Sequence, residues 1–398
     1  MNDNIRKLYK ISSKKSRLIV GLMSGTSLDG LDIALCNISG SGAKTKVAIK
    51  NFTTIPYNDT IRKNILDIFA KPTIEFKKLS ELNAWLAITH GNMIASALKQ
   101  WKIKPASVDI IASHGQTVFH APMAITPGVS INSTLQIGDG DHVAVTTGII
   151  TLSDFRQKHI AAGGEGAPLA VYGDYLLFSK KKEDRIMLNI GGIGNFTYLP
   201  GSLQRDKVFV TDTGPGNTMI DQAVRQFYPG KSFDKDSTIA LSGNVNKALL
   251  SELKKNLFFN LPFPKTTGPE QFNLSYLRDC QKKSGTESLT AENIIATLTR
   301  FSAETICEAI QRAPGKKKRQ HIFFSGGGAH NPLMVRWIKE LVPDCIFSTT
   351  SSLGVDGDAK EAVLFAVLAN EALAGGNTTF GNRHNVPSVS MGKVSFPK

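Results

Sequence analysis

A carboxylate beside a glycine-rich turn is the strongest candidate for chemistry in this sequence. The segment Asp212-Thr213-Gly214-Pro215-Gly216-Asn217 follows a predicted strand and precedes a predicted helix with a periodic apolar face. The start of a helix offers free N–H groups and the positive end of a dipole, which suit a phosphate. An acid at the strand end could act as a general base. An ordinary turn aspartate gives the same pattern, so the residues alone leave both interpretations open.

Two other glycine-rich segments contain residue types that suit ligand binding. Gly25-Thr26-Ser27-Leu28-Asp29-Gly30 joins two predicted strands and could receive a phosphate, with Asp29 holding a hydrated Mg²⁺. Ser325-Gly326-Gly327-Gly328-Ala329 lies between a predicted strand and a helix that Asn331 and Pro332 would begin. Its three glycines leave room for a flat ligand. Tight turns without a ligand have similar compositions, so that interpretation also stands for both segments.

Polar residues in two other places could contribute to a sugar site. Ser113-His114-Gly115-Gln116-Thr117 follows a predicted buried strand at 108–112, although a lone histidine there is usually structural. Glu361 stands near the start of a final helix predicted over 359–373, which is apolar on all sides and should be buried. A carboxylate at that point is either a solvated end residue or part of a site, and the residues alone favour the first.

The predicted elements that would position these segments occur in the same order twice along the chain. A strand, a polar turn and two further strands occur near the N-terminus and again half a chain later, which indicates a duplicated α/β unit and two α/β domains with a cleft between them. The predicted strands of the two repeats cover residues 17–23, 31–38, 47–53, 185–190, 195–199 and 208–211. Helices are predicted over 60–69 and 75–99. Residues 1–16 are expected to form a disordered or loosely attached basic tail.

Composition excludes several classes of protein. The 398 residues carry a net charge of +14, which favours anionic ligands. No apolar run reaches the roughly 18 residues that span a membrane, and no secretory signal is recognisable, so a cytoplasmic protein is expected. The four cysteines lack metal-ligand spacing and should be reduced. Basic clusters at 14–17, 180–182 and 316–319 lack interleaved aromatic residues, so solvated loops are expected there rather than a nucleic-acid site.

Taken together, these segments resemble the anhydro-N-acetylmuramic acid kinases of bacterial cell-wall recycling. They follow the order of that family from about residue 18 to residue 373, and such a series is far more specific than any single motif. The matching segments are Gly21-Leu22-Met23-Ser24-Gly25-Thr26-Ser27-Leu28-Asp29-Gly30-Leu31-Asp32, Ser113-His114-Gly115-Gln116-Thr117, Gln136-Ile137-Gly138, Asp154-Phe155-Arg156, Ala161-Ala162-Gly163-Gly164-Glu165-Gly166-Ala167-Pro168-Leu169, Leu188-Asn189-Ile190-Gly191-Gly192, Asp212-Thr213-Gly214-Pro215-Gly216-Asn217 and Ser325-Gly326-Gly327-Gly328-Ala329.

The resemblance implies the α/β fold of hexokinase, actin and the heat-shock ATPases, in which two related ribonuclease-H-like domains surround an ATP cleft. The expected domains are residues 17–162 with 359–398, and residues 163–358, after the tail of residues 1–16. Mg-ATP is the implied nucleotide. Its phosphates would contact Gly25 to Asp32 and the Gly214, Gly216 and Asn217 turn, and its adenosine would face Gly326, Gly327 and Gly328.

The resemblance also implies a reaction in which hydrolysis and phosphorylation are joined. Asp212 would take a proton from a water molecule that attacks the anomeric carbon of 1,6-anhydro-N-acetylmuramic acid. The bridge would open, and the released 6-oxygen would attack the γ-phosphate to give N-acetylmuramic acid 6-phosphate and ADP. Arg156, Glu361 and the segment Gly115-Gln116-Thr117 match positions on the sugar side.

Two departures from the family pattern and two alternative functions remain. His159 stands where many members have an acid, and Pro269 stands where many have arginine, which affects the expected sugar contacts. Another hexose or amino-sugar kinase of the same fold would phosphorylate a free hydroxyl without water attack. An ATP-driven switch would show no sugar-dependent turnover. The expected partners are the sugar and ATP, with no nucleic acid and no membrane, and a homodimer is left open.

Overall fold

The fold is described on a computed structural model of the chain, for residues 1–123, 126, 128–315, 320–375 and 386–398. The predicted basic cluster at 316–319 lies outside the described residues. The chain forms two compact units, of which the first is Met1–Phe178 with Gly354–Lys398 and the second is Ser179–Leu353. Among the helices of the described ranges, none combines the length and apolarity needed to cross a membrane.

The strands confirm those predicted from the sequence and add several short ones. In chain order they are β1 (Ser16–Ser24), β2 (Gly30–Ser39), β3 (Lys46–Pro56), β4 (Ile110–Ala121), β5 (Ser133–Ile137), β6 (Thr151–Ser153), β7 (Arg185–Ile190), β8 (Ile193–Leu199), β9 (Phe209–Pro215), β10 (His321–Ser325), β11 (Ile346–Thr349) and β12 (Lys393–Ser395).

The helices of the described residues include all those predicted from the sequence. They are α1 (Asp3–Ser12), α2 (Asp59–Leu66), α3 (Phe76–Gln100), α4 (Gly140–Thr147), α5 (Phe155–Ala161), α6 (Ala170–Phe178), α7 (Thr218–Phe227), α8 (Thr238–Ser242), α9 (Lys247–Leu253), α10 (Leu274–Ser284), α11 (Ala291–Arg312), α12 (Pro332–Leu341) and α13 (Lys360–Ala374).

The sheet of the first unit has an antiparallel meander joined to parallel strands. β1, β2 and β3 form the meander, β4 pairs in parallel with β1, and β6 pairs in parallel with β4. β5 and β12 add antiparallel pairs at β4 and β6. The apolar helix α13 packs on β1, and a Cβ added at Gly21 would lie 2.0 Å from the carbonyl oxygen of Ala362. Glycine therefore permits this close approach of helix and strand.

The second unit repeats this topology. β7, β8 and β9 form an antiparallel meander, β10 pairs in parallel with β7, and β11 pairs in parallel with β10. The long helix α11 contributes many buried side chains to the core beside this sheet, among them Leu298, Phe301 and Ile306. The same strand order in both units confirms the duplicated α/β theme.

The N-terminal residues form a helix, so the expectation of a disordered tail is wrong. The Asn2 side chain caps α1 by accepting hydrogen bonds from the N–H groups of Asn4 and Ile5. Ile11 is buried, and the buried Arg17 guanidinium donates to the carbonyl oxygens of Ile11 and Lys14. These contacts involve tertiary structure that local composition does not reveal. They also place Arg17 inside the fold, whereas a solvated loop was expected at 14–17.

The units divide the chain at slightly different places from the domains expected from the sequence. The first unit continues to Phe178, because α6 packs against α13. The second unit ends at Leu353, so residues 354–358 lie in the first unit. The cluster Lys180–Lys182 is exposed, as a solvated loop should be. All four cysteines are free thiols.

Candidate functional site

Asp212 lies within β9 and is held by a neighbouring segment of the second unit. Its position inside the strand differs from the expected position after the strand end, because β8 continues to pair with β9 as far as Pro215. The backbone N–H of Asp212 donates to the carbonyl oxygen of Lys265 at 2.9 Å. The N–H of Thr267 donates to Oδ2 of Asp212 at 2.8 Å. The carboxylate is therefore fixed in orientation by main-chain contacts.

The surroundings of Asp212 tune its carboxylate for proton transfer. Burial raises its pKa to about 6, and the negative charge of Glu270 adds to this rise. The Thr267 N–H and the charge of Lys265 oppose the rise. A group with this pKa is ionised at neutral pH, yet it binds a proton more readily than an ordinary aspartate. These are the properties of a general base.

The glycine-rich turn after Asp212 is joined to the turn between β7 and β8. The N–H groups of Gly216 and Thr218 donate to the carbonyl oxygen of Gly192 at 2.8 and 3.0 Å, and the N–H of Asn217 donates to that of Gly191 at 2.9 Å. The free N–H groups expected at residues 216 and 217 are therefore already paired within the protein. Gly216 and Asn217 contribute a rigid turn instead of these main-chain donors.

The free space beside each glycine, measured by the atoms that an added Cβ would meet, shows where a ligand could lie in the second unit. A Cβ added at Gly216 would lie 2.3 Å from the Gly191 carbonyl oxygen, and one added at Gly328 would lie 2.2 Å from Ile190 Cγ2. By contrast, a Cβ at Gly191 would meet no atom closer than 3.7 Å, and one at Gly327 would meet only Asn217 Nδ2, at 3.9 Å. Gly191 and Gly327 therefore have open faces, which fits a nucleotide lying against the backbone.

The expected phosphate segment of the first unit has both exposed and buried members. Thr26, Ser27 and Asp29 are exposed, whereas Leu28, Gly30 and Leu31 are buried and support the turn. Leu28 has a φ of 58°, a left-handed conformation that a leucine rarely adopts. Within the Gly25 to Asp32 segment, the residues that reach solvent are therefore Gly25, Thr26, Ser27, Asp29 and Asp32.

Asp32 is half-buried at the start of β2. Its Oδ1 accepts a hydrogen bond from Thr54 Oγ1 at 2.5 Å. Burial raises the pKa of Asp32, the Thr54 bond opposes this rise, and the negative charges of Asp358 and Asp29 add to it. Two other carboxylates thus act on Asp32 beside the phosphate segment. The described residues contain no preformed cluster of three or more side chains that could hold a metal ion.

A buried hydrogen-bond chain connects the phosphate segment to the sugar-side segment of the same unit. Gln116 Nε2 donates to the carbonyl oxygens of Gly25 at 3.2 Å and Thr117 at 3.1 Å. Its Oε1 accepts from the Ser24 hydroxyl. Ser24 Oγ lies 2.7 Å from Tyr57 Oη, which in turn lies 2.7 Å from His90 Nε2. The structure therefore brings Gly25, Gln116 and Thr117 together.

Arg156, which the sequence predicts on the sugar side, is held by two other segments of the first unit. Its Nε donates to His114 Nε2 at 2.8 Å, and its Nη1 donates to the Gly166 carbonyl oxygen at 2.8 Å. Glu361 is exposed at the first turn of α13. Desolvation by the surrounding protein nevertheless raises the pKa of its carboxyl group, and the positive charge of Arg156 opposes this rise. His114 lies within β4, not after the strand end as expected, because β4 extends to Ala121.

The residue at one family departure supports this arrangement. His159 is buried, and its Nδ1 accepts a hydrogen bond from the Gly166 N–H at 3.0 Å. Burial lowers its pKa to about 4, with a further contribution from Arg156, so the ring is neutral at pH 7. Gly166 is thus held from both sides by Arg156 and His159. This role differs from the sugar contact that an acid at this position suggested.

Sequence reasoning missed the residues that hold Asp212. Lys265 and Thr267 lie more than fifty residues beyond it in the chain, and only the resemblance drew attention to the neighbouring segment. It also missed Tyr57 and His90, which have no motif of their own. His90 is buried on α3, and no motif in the sequence marked it as a partner of Tyr57.

Comparison with known proteins identifies relatives along the whole chain. The family model for anhydro-N-acetylmuramic acid kinase matches residues 17–389. An anhydro-N-acetylmuramic acid kinase from Pseudoalteromonas atlantica is 51% identical and covers 100% of both chains. One from Caldanaerobacter subterraneus is 39% identical over 98% of this chain and 100% of its own. Among solved structures, a hexokinase from Schistosoma mansoni has 10% identity and a TM-score of 0.36, covering 90% of this chain and 86% of its own.

Proposed function

Because the chain belongs to the anhydro-N-acetylmuramic acid kinase family, we propose that Asp212 is the general base of an ATP-dependent kinase that opens and phosphorylates 1,6-anhydro-N-acetylmuramic acid. The activity belongs to peptidoglycan recycling. The observation that carries the role of Asp212 is its geometry, since the Thr267 N–H fixes a carboxylate whose pKa burial raises to about 6. A base with this pKa is ionised at neutral pH and matched to proton transfer.

The proposed reaction needs only one carboxylate. The Asp212 carboxylate accepts one proton from water, whose oxygen forms a bond to the anomeric carbon while the bond from that carbon to the 6-oxygen breaks. The 6-oxygen keeps the electron pair and attacks the γ-phosphorus of ATP. The bond from that phosphorus to the β,γ-bridging oxygen breaks, and ADP leaves with its electrons. The leaving group of the first step is thus the nucleophile of the second.

Each unit by itself contains residues that fit one part of the substrates. In the second unit, the open faces of Gly191 and Gly327 fit a nucleotide. In the first unit, the hydroxyls of Thr26 and Ser27 and the carboxylate of Asp29 fit phosphates and a magnesium ion. The ion supplies charge neutralisation for phosphoryl transfer when bound. Arg156, fixed by His114 and Gly166, suits the carboxylate of the muramic acid.

A sugar-dependent assay tests this function. Wild-type protein should release ADP with 1,6-anhydro-N-acetylmuramic acid, and product formed in ¹⁸O-water and quenched at once should carry the label at the anomeric carbon and none in the phosphate. Asp212→Asn should abolish turnover while ADP binding by calorimetry persists. The matched control is Asp279→Asn, which changes an exposed aspartate of the same unit and should have normal turnover.

Three results would contradict the proposal. Near-normal turnover of Asp212→Asn would remove this residue from the role of base. Unlabelled product, or equal phosphorylation of N-acetylmuramic acid with a free 6-hydroxyl, would favour an ordinary hydroxyl kinase. We also propose a cytoplasmic location, which cell fractionation tests. Light scattering coupled to size-exclusion chromatography distinguishes a monomer from a homodimer.

A further inference from the structure

Lys265 is a buried cation in the second unit that the proposed mechanism does not use. The residue is only 7% exposed. Its Nζ donates to the carbonyl oxygens of Phe258 at 2.9 Å and Phe259 at 3.1 Å. The Nζ also lies 4.2 Å from the ring centroid of Phe258 and 5.7 Å from that of Phe263. Carbonyl dipoles and aromatic faces both stabilise a cation, so this pocket is built to hold an ammonium group.

The backbone next to this cation is the segment that holds Asp212. The N–H of Lys265 donates to Thr211 Oγ1 at 3.0 Å, and its carbonyl oxygen accepts from the N–H of Asp212 at 2.9 Å. Two residues later, the N–H of Thr267 donates to Asp212 Oδ2 at 2.8 Å. The position of residues 265–267 therefore determines where the carboxylate points. The side chain of Lys265 is the anchor that fixes this segment to residues 258 and 259.

We propose that Lys265 is a positioning residue for the general base, whose ammonium group anchors residues 265–267 and so fixes Asp212. This inference rests on the proposed role of Asp212. Lys265 acts through the backbone and through its charge, and it touches no reacting atom. The expected consequence of losing the ammonium group is a slower chemical step with little change in nucleotide binding, since Lys265 is not among the residues proposed to bind ATP.

The charges around the two groups predict a pH signature. Burial lowers the pKa of Lys265 to about 8, with a further contribution from Arg312, while Asp212 and Glu308 oppose this decrease. Lys265 therefore loses its charge as the pH rises through about 8. The charge of Lys265 also acts on Asp212. Burial and Glu270 raise the pKa of Asp212, whereas the Thr267 N–H and Lys265 lower it. Removing the ammonium charge should raise the pKa of Asp212 further.

The test measures kcat and KM for both substrates as a function of pH in four proteins. These are wild type, Lys265→Met, Lys265→Arg and the control Lys255→Met, which changes an exposed lysine paired with Glu252. Lys265→Met should lower kcat by about 10- to 100-fold, because a misplaced catalytic group has an effect of this size. Its KM for ATP should stay near wild type, and the acidic limb of its kcat profile should move to higher pH. The control should match wild type.

Lys265→Arg tests whether the positive charge at position 265 is what matters. Wild-type kcat should fall above about pH 8, because Lys265 becomes neutral. Arginine keeps its charge over this range, so the alkaline fall should be absent from Lys265→Arg. If Lys265→Met does not fold, as judged by thermal denaturation, the kcat profiles of wild type and Lys265→Arg at alkaline pH test the proposal instead. The same alkaline fall in both proteins would overturn the proposal, as would a wild-type profile that is flat to pH 10.

The outcomes distinguish this inference from the proposed function. If Asp212→Asn is inactive while folded Lys265→Met has the kcat and the pH profile of wild type, only the positioning role of Lys265 fails. If Asp212→Asn retains turnover, the proposed function itself fails, and with it the premise of this inference.

Discussion

Replacing the proposed base should make the protein more stable while it becomes inactive. Asp212→Asn keeps the shape of the side chain and an oxygen that can accept the Thr267 N–H bond, but it removes a charge that burial disfavours. Catalytic groups held in surroundings that oppose their charged form lower the stability of the native state. We therefore expect a higher free energy of unfolding for Asp212→Asn than for wild type at pH 7.

The magnitude follows from the pKa of Asp212, which is about 6 in the folded protein against 3.8 for an ordinary aspartate. Because the folded pKa is raised, the protonated side chain stabilises the fold fully below about pH 4, and this contribution is lost as the pH rises through 6. The difference in pKa corresponds to at most about 3 kcal/mol at pH 7. Solvent contact of the half-buried side chain reduces the expected gain to about 1–2 kcal/mol.

Thermal and urea denaturation at a series of pH values measure this gain. The melting temperature of Asp212→Asn should exceed that of wild type by about 2–8 °C at pH 7, and the difference should shrink towards zero near pH 4. The control Asp279→Asn should stay within about 0.5 kcal/mol of wild type, because it changes an exposed side chain. A variant that is less stable than wild type at pH 7, or a gain that does not depend on pH, would refute the reasoning.

Four other substitutions probe the glycine turns, the sugar side and the N-terminal helix. Gly191→Ala should fold normally but weaken ATP binding at least tenfold in calorimetry, whereas Gly216→Ala should lower the melting temperature, because its Cβ would lie 2.3 Å from the Gly191 carbonyl oxygen. Arg156→Lys should raise KM for the sugar about tenfold and leave KM for ATP unchanged, since lysine cannot replace a fork held by two fixed acceptors; equal changes in both constants would argue against a sugar-specific role. Arg17→Met should lower the free energy of unfolding by about 2–4 kcal/mol in urea, because it removes the buried guanidinium that donates to the carbonyl oxygens of Ile11 and Lys14. An unchanged midpoint would contradict this.

Local sequence patterns were sufficient to predict the elements that carry the candidate site. Apolar runs interrupted by glycine and polar residues predicted both meanders, because buried strands and tight turns leave strong local signals. The Asn331-Pro332 pair correctly predicted the start of α12, where the Asn331 side chain accepts from the Met334 N–H. The three glycine-rich segments likewise lie at strand ends or between strands.

The contacts that orient the candidate residues could not be predicted from local patterns. Lys265 and Asp212 are brought together by the fold alone, as are Arg156 and His114, which lie on α5 and β4. The helix α1 was missed for the same reason, since the donors that satisfy its last carbonyl groups come from Arg17. Burial of a cation among aromatic rings, as at Lys265, depends on the tertiary structure.

The buried chain beside the phosphate segment has a fixed direction of proton donation. Both N–H bonds of Gln116 are used by carbonyl oxygens, one of them that of Gly25, so its Oε1 must accept from Ser24. Ser24 then has no proton left, so Tyr57 must donate to it, and the ring of His90 must donate from Nε2 to Tyr57. Burial lowers the pKa of His90 to about 4, so this ring is neutral at pH 7. A single tautomer of one imidazole is thereby linked to the main chain of the turn at Gly25, which we propose to bind phosphate, and its ¹⁵N chemical shifts should report when that turn changes shape.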